Sequence, residues 1–406
     1  MYGSQQEMAV LGDILTVLLN TSMYTFEVAP VMTMIEKECI DKLSSFIWGS
    51  GEINDGVFTP GSSISNMNAM MMARNAKFPE THLSGLYECP KVSIFVTDQA
   101  HYSFLKGALF LGFGKNSIVK VKSDNNDRID IPSLEKAIEA EKQKGNTPLM
   151  VVGVAGTTFS GKFDNLDALG KIAHKNKMWF HVDAAYGGSL LFSEKEKNKF
   201  VGVSLADSVS WSLHKIMGVP LVCAVFLTKE QGALNRAFSV DAGYLFHDND
   251  DHDLGQKSLQ CGRRVDALKL WLAWKKEGTE GFAKRVDSIM KTSTVMAAAI
   301  DDNSRLELLT MPESPIVCFR YFDRNLTEDQ MNDVNKKIRE NIFTMGQYLF
   351  NYSTYRDKIY LRCVVSDPEF DLANVSLIMD EITNTGTELV EEIWPSTRIE
   401  NILPSA

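Results

Sequence analysis

The sequence has 406 residues, 44% of them apolar and 23% charged, which is enough for two packed domains and excludes a peptide hormone, a small disulfide scaffold and a disordered chain. Its 52 Asp and Glu outnumber 42 Lys and Arg, and the resulting net charge of -10 disfavours a nucleic-acid partner. The six cysteines lie far apart, with no CxxC pair and no His at ligand spacing, so the sequence predicts no metal site.

The N-terminal part of the chain is predicted to be helical. Apolar residues at helical spacing predict helices over 5–20 and 30–46, within an N-terminal helical segment over 1–50. The apolar stretch 8–19 is interrupted by Asp13, lacks a preceding Lys or Arg, and is too short to span a bilayer. We therefore expect a cytoplasmic protein that does not bind membranes.

The middle of the chain, over 51–285, is predicted to form a large α/β domain. Short β-rich runs alternate with amphipathic stretches, which favours parallel βαβ units whose ligands lie beyond the carboxyl ends of the strands. The predicted strands cover 92–96, 117–121, 149–154, 178–183, 208–212 and 221–227.

The last part of the chain, over 286–406, is predicted to form a smaller α+β domain. The pattern is helical over 263–278 and 282–300, as in a long connector that leaves the main sheet. Beyond it the predicted strands are LELLT, IVCFRYF and IYLRCVV, and the predicted helices cover 327–344 and 370–392.

Two motifs that follow predicted strands carry groups for chemistry. HVDAAYGG contains Asp183 and SLHKIMG contains Lys215. Taken separately, Asp183 could cap a turn and Lys215 could be a surface charge. Their separation, however, suits neighbouring strand ends of one sheet. The chemistry that needs both groups is pyridoxal phosphate catalysis, in which a lysine amine forms a Schiff base and a carboxylate keeps the pyridine nitrogen protonated.

Eight motifs together resemble a known family. In chain order they are FTPGSSISNM, TDQAHYS, VAGTTFSGKFD, WFHVDAAYGG, SLHKIMG, AGYLF, QCGRRVDALKLWLAW and LRCVVSDP. The chain thereby resembles the group II pyridoxal-phosphate amino-acid decarboxylases, most closely the branch with glutamate decarboxylase and cysteine-sulfinate decarboxylase. The resemblance implies a fold of the aspartate-aminotransferase type (fold type I), pyridoxal 5'-phosphate as cofactor, and a homodimer.

The resemblance also implies roles for single residues. Lys215 matches the lysine that bonds the cofactor aldehyde, Asp183 the carboxylate at the pyridine nitrogen, and Ala185 the small residue beneath the ring. The remaining matches are His101 stacked over the ring, Thr157 near the ring oxygen or substrate carboxylate, Ser212 and His214 near the phosphate or substrate, and the backbone N–H groups of Ser63 and Ile64 at the phosphate. The alternatives are a core histidine at 101, a turn hydroxyl at 157 and an ordinary helix cap at 61–65.

Arg362, in YLRCVVSDP, matches an arginine that is expected to hold the carboxylate of an acidic substrate. The planar guanidinium suits a carboxylate because it forms two parallel hydrogen bonds. An arginine that instead pairs with Asp357 or Asp367 is the alternative. The resemblance therefore implies glutamate, aspartate or cysteine sulfinate as substrate, without separating them.

The loop over 247–259 departs from the family pattern. Where the family has a tyrosine thought to protonate the substrate carbon, this loop has His252, which can donate a proton near neutral pH. The alternative is a solvated acidic loop containing Asp248, Asp250, Asp251 and Asp253. The resemblance also implies upstream helices and a motif like HPRFFNQL before Met1.

The sequence leaves competing hypotheses for the function open. They are a pseudoenzyme that binds the cofactor, a truncated inactive homologue, and an aminotransferase or lyase of the same fold.

Overall fold

The computed structural model of the chain describes residues 3–52, 54–240, 242, 245–246, 252–346 and 348–394. These residues form two compact units. The larger unit comprises the described residues of Tyr2–Thr158 and Lys162–Val286, and the smaller unit comprises Phe159–Gly161 and those of Asp287–Ala406. No helix in this described part of the chain combines the length and apolar character that crossing a bilayer requires.

A seven-stranded sheet is the centre of the larger unit. Its strands are β1 (Asp55–Thr59), β2 (Val92–Thr97), β3 (Ile118–Val121), β4 (Thr147–Val154), β5 (Trp179–Asp183), β6 (Ser208–Ser212) and β7 (Ala224–Thr228). They lie in the order β1-β7-β6-β5-β4-β2-β3. Only β7 runs against the others, because it pairs antiparallel with both β1 and β6. The prediction of a mostly parallel sheet is confirmed.

Helices follow most strands of the larger unit, as the alternating sequence pattern predicts. They are α1 (Glu7–Leu19), α2 (Pro30–Trp48), α3 (Ser62–Lys77), α4 (Thr81–Ser84), α5 (Ser103–Phe110), α6 (Ile131–Gln143), α7 (Leu166–Lys175) and α8 (Ala233–Phe238). Strands β1, β2, β6 and β7 are buried along their whole length, which agrees with a sheet that is covered on both faces.

One edge of this sheet collects the segments that follow the strands. Because β1, β2, β4, β5 and β6 are parallel, their carboxyl ends meet at the same edge. The reversed strand β7 contributes its amino end there, so Leu221 and Val222 also lie at this edge. The predicted strand over 221–227 begins only at Ala224, since the residues before it belong to this edge segment.

The smaller unit has its own antiparallel sheet and core. Its strands are β8 (Leu306–Leu308), β9 (Ile316–Tyr321), β10 (Asn351–Tyr355) and β11 (Lys358–Val364), in the order β10-β11-β9-β8. Helix α9 (Asp266–Asp301) contains a bend at Gly278, which has a positive φ of 67°, and its residues from Asp287 onward belong to the smaller unit. Helices α10 (Glu328–Met345) and α11 (Asn374–Ile393) pack their apolar residues, among them Val334 and Ile382, in one core with Phe319 of β9.

Candidate active site

A cavity of about 260 Å³ lies at the carboxyl edge of the large sheet, and all the residues that line it belong to the larger unit. Seven residues that the sequence predicted for the site line this cavity. They are Ser63, His101, Asp183, Ala185, Ser212, His214 and Lys215. The cavity therefore brings together the two residues on which the sequence interpretation depends, Asp183 and Lys215.

Asp183 is the last residue of β5, and two N–H donors hold its carboxylate. The amide nitrogen Nδ2 of Asn66 donates to Oδ2 at 3.0 Å, and the backbone N–H of Ala185 donates to Oδ1 at 3.1 Å. The Ser210 hydroxyl lies 3.4 Å from Oδ1 and 2.8 Å from the Asn66 oxygen, to which it donates. Asp183 is only 6% exposed. A buried carboxylate is costly without donors, so these contacts replace part of the solvation that it loses.

The glycines at the end of HVDAAYGG are required by close packing. A Cβ on Gly187 would lie 2.4 Å from the carbonyl oxygen of Ala155, and a Cβ on Gly188 would lie 2.8 Å from the Trp211 ring. The chain therefore turns tightly after Asp183, where Ala184 N–H donates to the carbonyl of Ser210 at 2.9 Å. This turn keeps the small side chain of Ala185 at the cavity wall.

Lys215 and His214 lie in the segment that connects β6 to β7. The His214 ring nitrogen Nδ1 lies 2.7 Å from the carbonyl oxygen and 3.0 Å from the backbone nitrogen of Cys223. Burial, together with the nearby charge of Lys215, lowers the pKa of His214 to about 4. The imidazole is therefore neutral at physiological pH and fixes the segment that carries the lysine.

The turn before α3 has the geometry of an anion site. Gly61 has a φ of 115°, and the helix begins at Ser62. The first N–H groups of a helix have no intrahelical acceptor, and the helix dipole is positive at this end. The Ser62 hydroxyl lies 2.6 Å from that of Ser212, so two strand ends meet here. Ile64, however, donates its N–H to the Gly61 carbonyl at 2.9 Å and does not line the cavity, contrary to the prediction.

His101 lies on the cavity wall next to α5. Its Nδ1 accepts a hydrogen bond of 3.2 Å from the backbone N–H of Ser103, so the neutral ring carries its proton on Nε2. Burial is the main cause that lowers the pKa of His101, and the positive charge of Lys215 acts in the same direction.

The threonine at the cavity is not the one that the sequence predicted. The Thr157 hydroxyl accepts the backbone N–H of Lys162 at 3.1 Å, and the residue is almost fully buried within this turn. Its neighbours Gly156 and Thr158 line the cavity instead. The alternative of a turn hydroxyl at Thr157 fits this geometry, and the threonine that lines the cavity is Thr158.

His252 does not line the cavity that contains Lys215. Its Nδ1 lies 2.7 Å from the Nζ of Lys37, and its ring packs at 5.1 Å from that of Phe26, beside a second cavity of the larger unit. Its role as a proton donor stays a prediction. The acidic residues Asp248, Asp250 and Asp251 lie outside the described residues.

Arg362 belongs to β11 of the smaller unit. It pairs with Cys318 of β9 and Asn351 of β10, and its Nε donates to the carbonyl of Phe159 at 3.2 Å. Its predicted contact with a substrate carboxylate stays a prediction.

Two further residues at the site were missed from the sequence. Asn66 lines the cavity and, with Ser210, contacts the Asp183 carboxylate. Asn66 lies inside the quoted motif FTPGSSISNM, and Ser210 lies two residues before Ser212 on the same strand face. Strand alternation could have identified Ser210, whereas Asn66 required the orientation of α3.

Comparisons with known proteins identify the family and the fold to which this chain is similar. Residues 1–322 match the model of the pyridoxal-dependent decarboxylase conserved domain. The structure of mouse CSAD, a cysteine sulfinic acid decarboxylase, is similar, with a TM-score of 0.90 and 34% identity over 95% of this chain and 82% of that one. Tryptophan decarboxylase of Catharanthus roseus, in complex with L-tryptophan, matches over the same shares with a TM-score of 0.87 and 25% identity.

Two buried imidazoles make the stability of the protein dependent on pH. Burial lowers the pKa of His181 and of His214 from 6.5 to about 4. Because the folded pKa lies below the unfolded one, the stabilisation is complete above pH 6.5 and is lost as the pH falls toward 4. We expect the free energy of unfolding of the cofactor-free protein to fall by on the order of 1 kcal/mol per histidine between pH 6.5 and 5.5.

Urea unfolding at several pH values measures this loss. His214→Gln is expected to reduce it, whereas the same change at the exposed His174 is expected to leave it unaltered. An equal loss in the wild type and in His214→Gln would contradict the assignment.

Proposed function

The chain belongs to the pyridoxal-dependent decarboxylase family, and from this premise we propose that it removes the α-carboxylate of an acidic amino acid as a homodimer. It is a carboxy-lyase, and its cofactor is pyridoxal phosphate. The observation that carries the proposal is the shared cavity of Lys215 and Asp183, each at the end of a neighbouring strand.

The groups in the cavity fit pyridoxal phosphate. Lys215 offers the primary amine that an aldehyde needs, and the buried Asp183 offers a carboxylate for a protonated ring nitrogen. The first turn of α3, with the hydroxyls of Ser62 and Ser212, offers donors to a phosphate. The small side chain of Ala185 leaves space for a flat ring, and the imidazole of His101 bounds that space.

We assign a role to each of the residues that line the cavity and would contact the cofactor. Bound pyridoxal phosphate supplies an electron-accepting ring and an aldehyde that condenses with amines. Lys215 anchors the aldehyde carbon, and Asp183 holds a proton on the ring nitrogen. His101, neutral and protonated at Nε2, bounds the ring face without adding a charge. We assign no catalytic role to His252, since its ring lies beside Lys37 and Phe26.

An acidic substrate is supported by two observations. The motif YLRCVVSDP, with Arg362, matches the motif whose arginine is expected to hold a substrate carboxylate, and a guanidinium binds a carboxylate through two hydrogen bonds. The identity to mouse CSAD, at 34%, exceeds the 25% identity to the tryptophan decarboxylase. We therefore propose cysteine sulfinate, glutamate or aspartate as the substrate, in preference to an aromatic amino acid.

The first test of this function is CO₂ release from the purified protein loaded with pyridoxal phosphate. We expect release with at least one of the three acidic amino acids and a visible absorbance band of the bound cofactor. Lys215→Ala is expected to lose both, because the anchoring amine is gone. Lys229→Ala, at the opposite end of β7, is the control and is expected to retain both. No release with any acidic or aromatic amino acid would defeat the proposed activity.

The second test concerns the choice of substrate. Arg362→Lys keeps the positive charge but loses the two parallel hydrogen bonds, so we expect kcat/KM for the acidic substrate to fall roughly tenfold to hundredfold, mostly through KM. Arg324→Lys, an exposed arginine of the same unit, is the control. An unchanged KM in Arg362→Lys would show that Arg362 does not bind the substrate carboxylate. The proposed decarboxylation would not be contradicted by that result.

The homodimer is supported by an apolar face on α1. Leu11, Ile14 and Leu18 follow helical spacing and are all exposed. We expect light scattering to give twice the 45.4 kDa mass of one chain. Leu18→Glu is expected to lower the mass toward that of a monomer, whereas Leu377→Glu, on an exposed position of α11, is expected to leave it unchanged. A monomeric wild type would overturn this part of the proposal.

A further inference from the structure

A continuous chain of hydrogen bonds runs from the first residue of β5 to the last. The Trp179 indole nitrogen Nε1 lies 2.8 Å from the Ser208 hydroxyl, which lies 2.9 Å from Nδ1 of His181. The other ring nitrogen, Nε2, lies 3.0 Å from Oδ1 of Asn66, whose Nδ2 lies 3.0 Å from Asp183. Trp179, His181 and Asp183 share one strand face, so the chain follows directly from the alternation along β5.

The direction of this chain is fixed from its Asp183 end. The Asp183 carboxylate only accepts, so the NH₂ group of Asn66 must face it and the Asn66 Oδ1 faces His181. An acceptor opposite Nε2 requires the proton of the neutral imidazole to lie there, so Nδ1 accepts from the Ser208 O–H. The Trp179 indole N–H can only donate, and the Ser208 oxygen accepts it in agreement with this order.

Asn66 uses all of its hydrogen-bonding capacity in this orientation. Its Nδ2 donates to Asp183 and to the Ser103 hydroxyl, each at 3.0 Å. Its Oδ1 accepts from His181 at 3.0 Å and from the Ser210 hydroxyl at 2.8 Å. Rotating the amide by 180° would place its oxygen next to the Asp183 carboxylate and its NH₂ group next to two donors. All four hydrogen bonds of Asn66 therefore disfavour that rotation.

His181 is suited to this task because it is fully buried and stays neutral. Burial lowers its pKa to about 4, although the neighbouring Asp183 acts in the opposite direction. A neutral ring carries one N–H, and the Asn66 oxygen opposite Nε2 determines that it is the Nε2 proton. The ring therefore presents a donor to Asn66 over the whole physiological pH range.

We propose that Asn66 and His181 are positioning residues that orient the Asp183 carboxylate toward the ring nitrogen of the cofactor. His181 acts through Asn66, and Asn66 acts through Asp183. The proposal rests on the proposed role of Asp183 toward the cofactor. It adds that the orientation of the Asp183 carboxylate depends on a donor that only one orientation of the Asn66 amide supplies.

Asn66→Asp is the sharpest test, because it keeps the shape of the side chain and replaces the donor with a second carboxylic oxygen. Two carboxyl groups 3.0 Å apart disfavour the ionised form of Asp183. Since a hydrogen bond to a charged group is also lost, we expect the affinity for pyridoxal phosphate to fall roughly tenfold to hundredfold. Absorbance titration of the cofactor-free protein measures the dissociation constant. Asn75→Asp, at another buried amide of α3, is the matched control and is expected to bind normally.

A pair of substitutions at His181 separates positioning from packing. His181→Leu removes the donor to Asn66, and we expect it to weaken cofactor binding roughly tenfold. His181→Gln offers an amide N–H in place of Nε2–H and is expected to restore binding to within about threefold of the wild type. Thermal unfolding of the cofactor-free variants reports whether each one folds. If His181→Leu does not fold, the comparison of Asn66→Asp with Asn75→Asp decides the question alone.

The outcomes distinguish this proposal from the function on which it rests. Normal cofactor affinity in a folded Asn66→Asp would overturn the role of Asn66, and equal losses in His181→Leu and His181→Gln would overturn that of His181. Either result leaves CO₂ release by the wild type unaffected. Conversely, a wild type that binds the cofactor without releasing CO₂ would defeat the decarboxylase activity, while the binding titrations would still test the hydrogen-bond chain.

Discussion

The burial of one carboxylate, that of Asp183, is the constraint on which the site depends. A carboxylate that is removed from water is costly unless donors replace the lost solvation. Those donors are the side-chain amide of Asn66 in α3 and the backbone N–H of Ala185. Ser210 of β6 supports them, because its hydroxyl donates to the Asn66 oxygen at 2.8 Å and lies 3.4 Å from the carboxylate. Ser210 is the direct register partner of Asp183 between β5 and β6. The pairing of two strands and the orientation of one helix must therefore be correct before this charge is tolerated.

Several hydrogen bonds also hold the backbone of the segment that carries Lys215. The His214 ring ties it to Cys223, where β7 is about to begin. The buried Lys269 of α9 donates to the carbonyl of Val222 at 2.6 Å. From the amino end of the chain, Gln6 donates its side-chain amide to the carbonyl of Met217 and its backbone N–H to that of Gly218. A lysine on so constrained a backbone can present its amine to one point of the cavity.

The sequence predicted much of this site because its chemistry lies at the ends of strands. Asp183 and Lys215 each follow a β-rich run, and parallel strands bring such ends to one edge. What it could not predict depends on turn geometry and on the direction of strands. Which threonine of the pair 157–158 faces the cavity is decided by the turn that closes on Lys162. The reversal of β7 was not predictable either, since an apolar run carries no information about its direction.

The charges of the cavity explain how a phosphate can be accommodated there. Among the described residues that line it, Lys215 supplies the cationic side chain and no arginine is present, while the imidazoles of His101 and His214 are held neutral by burial. The negative charge of a phosphate must therefore be met mainly by dipoles, namely the first turn of α3 and the hydroxyls that meet at Ser62 and Ser212. This division leaves the Lys215 amine for the aldehyde. A second cation beside the Lys215 amine would attract the phosphate toward that amine. The neutral imidazoles of His101 and His214 add no such cation, so the phosphate and the Lys215 amine can occupy different ends of the cavity.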